Sequence, residues 1–244
     1  MAWIRRQLVA IAPARSSSAQ TDLLTQRFQY AGHWLAACLR PARMTVPSEA
    51  DQAFDRLLPD HLRVLSHKYW TPVDVAIRAT SLLCPASRTR ILDVGSGVGK
   101  LCVVGAMSAS GMWYGVEQHE PLVHAARMLA STLGVAERTT FLHGDALAVD
   151  WNEFDAIYLY NPFETPPSDV DPRRQMIDFR ALVACVERRL ATLRDQVRVV
   201  TLNGFGGAMP ASYELVYHER ISAVGLNLAL WIQGQASDQP MEPA

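Results

Sequence analysis

Cysteine is scarce and scattered: the 244-residue chain has four, Cys38, Cys84, Cys102 and Cys185, none of them in a CxxC pair. That spacing excludes a zinc ribbon and a disulfide scaffold and fits a reducing, cytoplasmic setting. No run of about 18 consecutive apolar residues occurs, so no membrane-spanning helix is expected. Seven histidines (His33, His61, His67, His119, His124, His143 and His218) are spread along the chain, and none pairs at i, i+4 beside a suitable acid. A metal site therefore has no spacing to support it. A GxSxG nucleophile elbow is also missing. The formal net charge of −1 argues against a general nucleic-acid binder.

Apolar residues make up 49% of the chain, enough to bury the core of one domain of ordinary size with an extension. Charge is unevenly placed. Residues 1–45 carry Arg5, Arg6, Arg15, Arg27, Arg40 and Arg43 against the single acid Asp22, leaving 17 basic and 23 acidic residues, a net of −6, in the rest. The opening MAWIRRQLVAIAPARSSSAQ resembles a secretion signal, but the apolar stretch Gln7–Ala14 is too short to serve as one. Three parts are expected: a basic arm over 1–50, a main domain over 51–236 and a polar tail over 237–244. In the arm, Phe28, Ala31, Trp34, Leu35, Cys38 and Leu39 recur at helical spacing until Pro41. That amphipathic helix suits either a lid on the body or a partner-binding arm.

From Asp51, the spacing of Phe54, Leu57, Leu58, Leu62 and Leu65 predicts short helices interrupted at Pro59. In the next segment, KYWTPVDVAIRATSLLC, Thr71 is placed to cap a helix and Pro72 to occupy its first turn. Val73, Ala76, Ile77, Thr80 and Leu83 would form its buried face. From Arg90, short apolar runs alternate with longer helical stretches, the pattern of a parallel sheet covered on both faces. Strands are predicted at 90–94, 112–117, 139–142, 154–160 and 197–202, with helices at 98–109, 120–133 and 173–192. The last of these helices would bury Ile177, Ala181, Cys185 and Leu190, with Glu187, Arg188 and Arg189 on another side. SYELVYH and LNLALWI then read as an antiparallel hairpin at the sheet edge. The expected fold is α/β, a doubly wound, mostly parallel seven-stranded sheet of Rossmann-like type.

The first strand runs into ILDVGSGVGK, residues 91–100. A phosphate-binding GxxxxGK[ST] loop is excluded, because Val94 stands where its first glycine belongs and Leu101 follows Lys100. The dinucleotide fingerprint GxGxxG fails at Lys100 alone, so a relaxed form stays open. Asp93, Gly95, Gly97 and Gly99 fit D-x-G-x-G-x-G in full. Here the chain resembles the class I S-adenosylmethionine-dependent methyltransferases, and three further stations follow in order: MWYGVE ending in Glu117, FLHGDALAVDW with Asp145, and FDAIYLYNPFE with Asn161.

Without Cβ atoms, Gly95 and Gly97 let backbone approach a ligand. The resemblance sets the methionine part of S-adenosyl-L-methionine over this turn, with Asp93 near its amino group. It makes Glu117 the acceptor for the ribose hydroxyls, a role that would equally suit NAD. It turns Asp145 toward the adenine amino group, a donor facing an acceptor-only carboxylate, with Ala146 beside the ring. Trp151 either covers that ring or belongs to the core. The cofactor set implied is Thr71, Asp93, Gly95, Ser96, Gly97, Glu117, Gln118, Asp145, Ala146 and Asn161. Tyr160-Asn161-Pro162-Phe163 resembles a shortened Asn/Asp-Pro-Pro-Tyr/Phe element of amino-methyltransferases, in which Asn accepts a hydrogen bond from the target nitrogen. Asn161, Tyr160 and Phe163 are accordingly the catalytic candidates. Asn161-Pro162 also suits a plain strand-terminating turn.

DVGSGVGK and YGVE, with the Thr-Pro segment upstream, narrow the resemblance toward the non-SET histone lysine methyltransferases and their bacterial relatives over Tyr69–Phe163. Trp70, Tyr160 and Phe163 are expected to line the methyl channel, and Lys100 to open a helix as a solvated cation outside the site. No metal is expected. The acceptor is left open, a small molecule or a protein side chain, with an amine favoured by the acidic body. An NAD-dependent oxidoreductase and a non-catalytic binding module of the same fold are the rival expectations.

Overall fold

A computed structural model describes residues 48–63, 65–160, 172–221 and 225–234. The expected arm helix around Phe28–Leu39, the polar tail, Asn161 and Phe163 lie outside these residues. Three short helices come first: α1 (Glu49–Asp55), α2 (Asp60–Arg63) and α3 (Ser66–Tyr69). Ser48 caps α1, its hydroxyl accepting from the Asp51 N–H, and the interruption falls at Pro59 as its missing donor requires. Next is α4 (Val73–Leu83), followed by the alternation β1 (Arg90–Val94), α5 (Lys100–Ser108), β2 (Met112–Glu117), α6 (Glu120–Thr132), β3 (Thr139–His143) and β4 (Ala156–Leu159). Then come α7 (Pro172–Ala191), β5 (Arg198–Leu202), β6 (Tyr213–Ile221) and β7 (Leu226–Gln233).

The seven described strands form one sheet in the order β3-β2-β1-β4-β5-β7-β6. The first five are parallel; β7 runs antiparallel between β5 and β6. The expected doubly wound sheet and the terminal hairpin are therefore both present. The hairpin's second strand is the inner one, and Leu228, Ala229 and Leu230 of β7 are buried while β6 exposes Leu215, Val216 and Tyr217.

Alternation along the strands sends consecutive side chains to opposite faces. Ile91, Trp113, Ala156, Tyr158 and Val200 join α4, α5 and α6 in one core. Leu92, Val94, Val116, Ile157, Leu159 and Val199 join α7, Trp151 and Phe154 in the other.

Two helical faces differ from expectation. On α4, Val75 and Ala79 are buried as well and Ile77 is only half-buried, because α5 and the sheet cover a wider arc than one stripe. On α7, Val183, Val186 and Leu190 form the buried stripe, whereas Ala181 is exposed and Cys185 half-buried. Steps of four and then three back from Leu190 select Val186 and Val183; Ala181 and Cys185 stand off that face, since repeated steps of four overshoot a 3.6-residue turn, and the side chain of Ile177 lies outside those described.

Candidate functional site

In open α/β sheets, ligands bind beyond the carboxyl ends of the strands where the strand order reverses. Here that point lies between β1 and β4, the neighbours flanking the reversal from β3-β2-β1 to β4-β5. The loop after β1 is the glycine turn, and the backbone N–H groups of Gly95 and Ser96 both donate to the Val116 carbonyl at 3.0 Å. Gly97 has φ +55°, and its N–H donates to Glu117 Oε2 at 3.0 Å. A Cβ on Gly97 would lie 2.7 Å from Trp70 Nε1, so the indole rests against the turn. Ser96 Oγ is buried and has no hydrogen-bond partner among the described residues.

Glu117, 7% exposed, also accepts from the His119 N–H at 2.9 Å through Oε1, and the His119 ring Nδ1 lies 2.8 Å from the same oxygen. Both carboxylate oxygens are thus oriented by the protein. On the same strand face as Tyr158, Asp93 is buried, and the two residues are in register across β1 and β4. Burial pushes the Asp93 carboxyl up to about 7, opposed by the Cys102 thiol at 3.7 Å and reinforced by the charge of Glu117. Burial, then Asp93 itself, pushes the thiol up in turn, so Cys102 stays protonated and donates. Burial likewise raises the Tyr158 hydroxyl well above its ordinary value, and that hydroxyl lies 2.9 Å from Thr71 Oγ1.

A cleft opens among Tyr69, Trp70, Thr71, Asp93, Gly95, Ser96, Lys100, Leu101, Tyr158 and Tyr160. Thr71, Trp70 and Tyr160, three of the residues singled out from the sequence, all line this cleft. Thr71 does not cap α4, however: its hydroxyl is engaged with Tyr158, Pro72 is the N-cap, and Asp51 Oδ1 takes the Val73 N–H at 3.0 Å.

Lys100 departs furthest from expectation. It is 2% exposed rather than solvated, lines the cleft, and pairs with Asp51 Oδ1 at 2.5 Å. The acids that hold it lie about fifty residues upstream, so no local pattern announces them. Tyr158 was also missed, though a signal existed: it sits two residues before Tyr160, and period-two alternation puts both on one face.

Asp145 starts the turn Ala146–Ala148, its Oδ1 accepting from the Leu147 N–H at 2.8 Å. The Gln118 carbonyl accepts from the His143 ring at 3.1 Å, tying the ends of β2 and β3. Trp151 belongs to the core: it is fully buried and its Nε1 donates to the Ala146 carbonyl at 2.9 Å. Arg189, expected on the polar side of its helix, instead donates to the carbonyls of Val149 and Leu147 at 2.6 and 2.5 Å and stacks over Trp151 at 5.7 Å. Sequence reasoning had no means to see that grip, because helix and loop are about forty residues apart.

No group of three or more His, Cys, Asp or Glu side chains suited to a metal ion occurs among the described residues. No described helix is long and apolar enough to cross a membrane.

No family model matches the sequence. Solved structures with related folds include TrmN from Thermus thermophilus, at 19% identity over 78% of this chain and 55% of that one, with a TM-score of 0.54. A point mutant of MtNAS in complex with S-adenosylmethionine is similar at 14% identity over 87% of this chain and 77% of that one, with a TM-score of 0.50. An RNA methyltransferase from Salinibacter ruber in complex with S-adenosyl-L-homocysteine shares 18% identity over 76% of this chain and 99% of that one, with a TM-score of 0.48. Identities this low speak for the fold alone. The chain has the seven-stranded, Rossmann-like methyltransferase fold, with its antiparallel strands at the C-terminal edge.

Proposed function

We propose that the chain is an S-adenosyl-L-methionine-dependent methyltransferase whose cofactor lies along the carboxyl ends of β1, β2 and β3. The observation that carries this reading is the Gly97–Glu117 hydrogen bond, which joins the glycine turn after β1, beside the strand-order reversal, to an oriented carboxylate at the end of β2. The residues present suit the cofactor chemically. Ser96 Oγ is a buried polar atom in need of a partner, and Asp93 is a buried acid that an ammonium group would return to its charged form.

When bound, the cofactor supplies an electrophilic methyl group for in-line displacement. Asp93 would hold its amino group, Glu117 the ribose hydroxyls through its remaining lone pairs, and Asp145 the adenine amino group, with Gln118 and Ala146 beside them. Gly95, Ser96 and Gly97 would bed the methionine tail. Thr71 would act through Tyr158, fixing the wall beside Asp93. Trp70 and Tyr160 would exclude water and present ring faces to positive charge. The role of the protein is alignment of donor and acceptor, which requires little acid or base chemistry when the acceptor arrives neutral.

The resemblance of Tyr160-Asn161-Pro162-Phe163 to a shortened amino-methyltransferase element, with the net charge of −6 beyond residue 45, supports an amine nitrogen as acceptor. Asn161, with Phe163, would orient that nitrogen by accepting its hydrogen bond. The arm over 1–50 and the body over 51–236 are proposed as separate parts, the basic arm serving as a lid on the body or as a partner-binding arm.

Thermal unfolding tests the cofactor assignment. Stabilisation by S-adenosylhomocysteine and not by NADH is the expected result; the reverse would make the chain an oxidoreductase. Methyl-labelled cofactor offered with proteins, small amines and RNA then identifies the acceptor. A chain that binds the cofactor product but labels nothing, and keeps its partners after Asp93→Asn, would be a binding module.

A further inference from the structure

The cation of Lys100 is enclosed by α1 and α3. Its Nζ lies 2.5 Å from Asp51 Oδ1, 3.6 Å from Asp55 Oδ1 and 3.3 Å from Ser66 Oγ, and sits 5.2 Å from the centre of the Phe54 ring. Each partner is itself fixed. Ser66 Oγ donates to Asp55 Oδ1 at 2.6 Å, and Ser48 Oγ donates to Asp51 Oδ2 at 2.8 Å. Asp51 Oδ1 is shared between Lys100 and the Val73 N–H, so one oxygen joins the first turn of α5 to the first turn of α4.

Tyr69, Trp70 and Thr71 lie between these anchors in the chain, Tyr69 three residues after Ser66 and Thr71 two residues before Val73. Those three residues form one wall of the cleft, and Trp70 rests on Gly97. A buried ion pair is weak evidence for stability, since desolvation offsets its Coulomb attraction, but removing one partner strands the other charge in the interior. Losing the ammonium would leave Asp51 and Asp55 facing each other at low dielectric, beside Asp74, whose carboxyl burial and Asp51 already push upward.

We propose that Lys100 is a positioning residue for the ligand-binding cleft: its ammonium holds Asp51, and through Asp51 the Trp70–Thr71 wall, against the glycine turn. The inference rests on the cofactor reading above for the identity of the ligand. It adds a role for a residue that contacts the wall's anchors and transmits their position to the site.

The test uses the full chain and two measurements. Hydrogen exchange of the peptide spanning 66–73 is read without ligand, and S-adenosylhomocysteine affinity is read by calorimetry well below the unfolding temperature. Lys100→Met is expected to speed exchange over 66–73 while β1 and β4 stay protected, and to weaken affinity roughly tenfold or more. If that variant does not fold, Lys100→Met with Asp51→Asn removes the uncompensated acid and is expected to give the same two changes. Leu190→Ala, buried on the opposite sheet face, serves as a control with comparable loss of stability. Wild-type exchange and affinity in the Lys100 variants overturn the proposal, as does an equal loss of both in the Leu190 control. If the wild-type protein binds no S-adenosylhomocysteine, the cofactor reading falls, and exchange over 66–73 alone decides whether Lys100 sets the wall.

Discussion

Glu117 Oε2 accepts the backbone N–H of Gly97 at 3.0 Å across 20 residues of chain, so the glycine turn and the end of β2 form one preset surface. The other oxygen is set by His119. A carboxylate held by backbone donors on both oxygens keeps its remaining lone pairs in fixed directions, which suits vicinal hydroxyls.

Glu117→Gln should therefore weaken S-adenosylhomocysteine binding by ~1.5–3 kcal/mol, because the new amide N–H faces a backbone N–H where an acceptor is needed. Calorimetry measures it. Wild-type affinity in the variant would remove Glu117 from the site.

Asp93 sets a pH dependence. Its folded value of about 7 exceeds its ordinary 3.8, so across that window only the folded state keeps the proton. Stability falls as pH rises through the window and levels off above it, since the folded state binds more protons there. Asp93→Asn should lack this slope and be the more stable form near about pH 8, by ~1–3 kcal/mol, with the gain shrinking as the pH falls toward about 4. Urea titrations at several pH values decide this.

The same acid predicts a ligand effect of opposite sense. An ammonium group favours the Asp93 carboxylate, so affinity for S-adenosylhomocysteine should strengthen as pH rises from about 6 to about 8 in the wild-type protein and stay flat in Asp93→Asn. Equal slopes in both proteins would place the amino group elsewhere.

Gly97→Ala and Gly134→Ala separate strain from clash. Both glycines have positive φ, +55° and +70°, but a Cβ on Gly97 meets Trp70 Nε1 at 2.7 Å while one on Gly134 meets nothing within 4 Å. Gly134→Ala should cost about 1 kcal/mol from backbone strain. Gly97→Ala should cost about 2–4 kcal/mol and also displace Trp70, a change visible in tryptophan fluorescence.

Arg189→Lys tests the grip on the loop after β3. A lysine keeps the charge and cannot span the Leu147 and Val149 carbonyls with one planar fork. About 1–3 kcal/mol of stability should be lost, with faster hydrogen exchange confined to the region 146–153. Faster exchange throughout the sheet would instead mean a general loss of stability.

Much of the candidate site is legible in sequence because its residues sit in short, ordered segments. Asp93 and Glu117 sit at the carboxyl ends of β1 and β2 and the glycines directly follow β1, so their arrival at one edge of a parallel sheet follows from topology. Thr71 was placed in the right segment with the wrong task, since its partner Tyr158 lies 87 residues away. On α7 the buried stripe was misread because the alanine and cysteine chosen carry little area to choose by, while Val183 and Val186 carry more.

By itself, the sequence determined the order of elements, the parallel sheet with its terminal hairpin, and the run of acids and glycines at the strand ends. Those features are periodic or adjacent, and local sterics and burial decide them. Only the tertiary structure decided that Lys100 is buried, that Trp70 rests on Gly97, that Trp151 belongs to the core, and that Arg189 holds the loop beyond β3. Each of these depends on segments far apart in the chain meeting at low dielectric, where a buried charge or donor must find a partner and the fold alone determines which one is in reach.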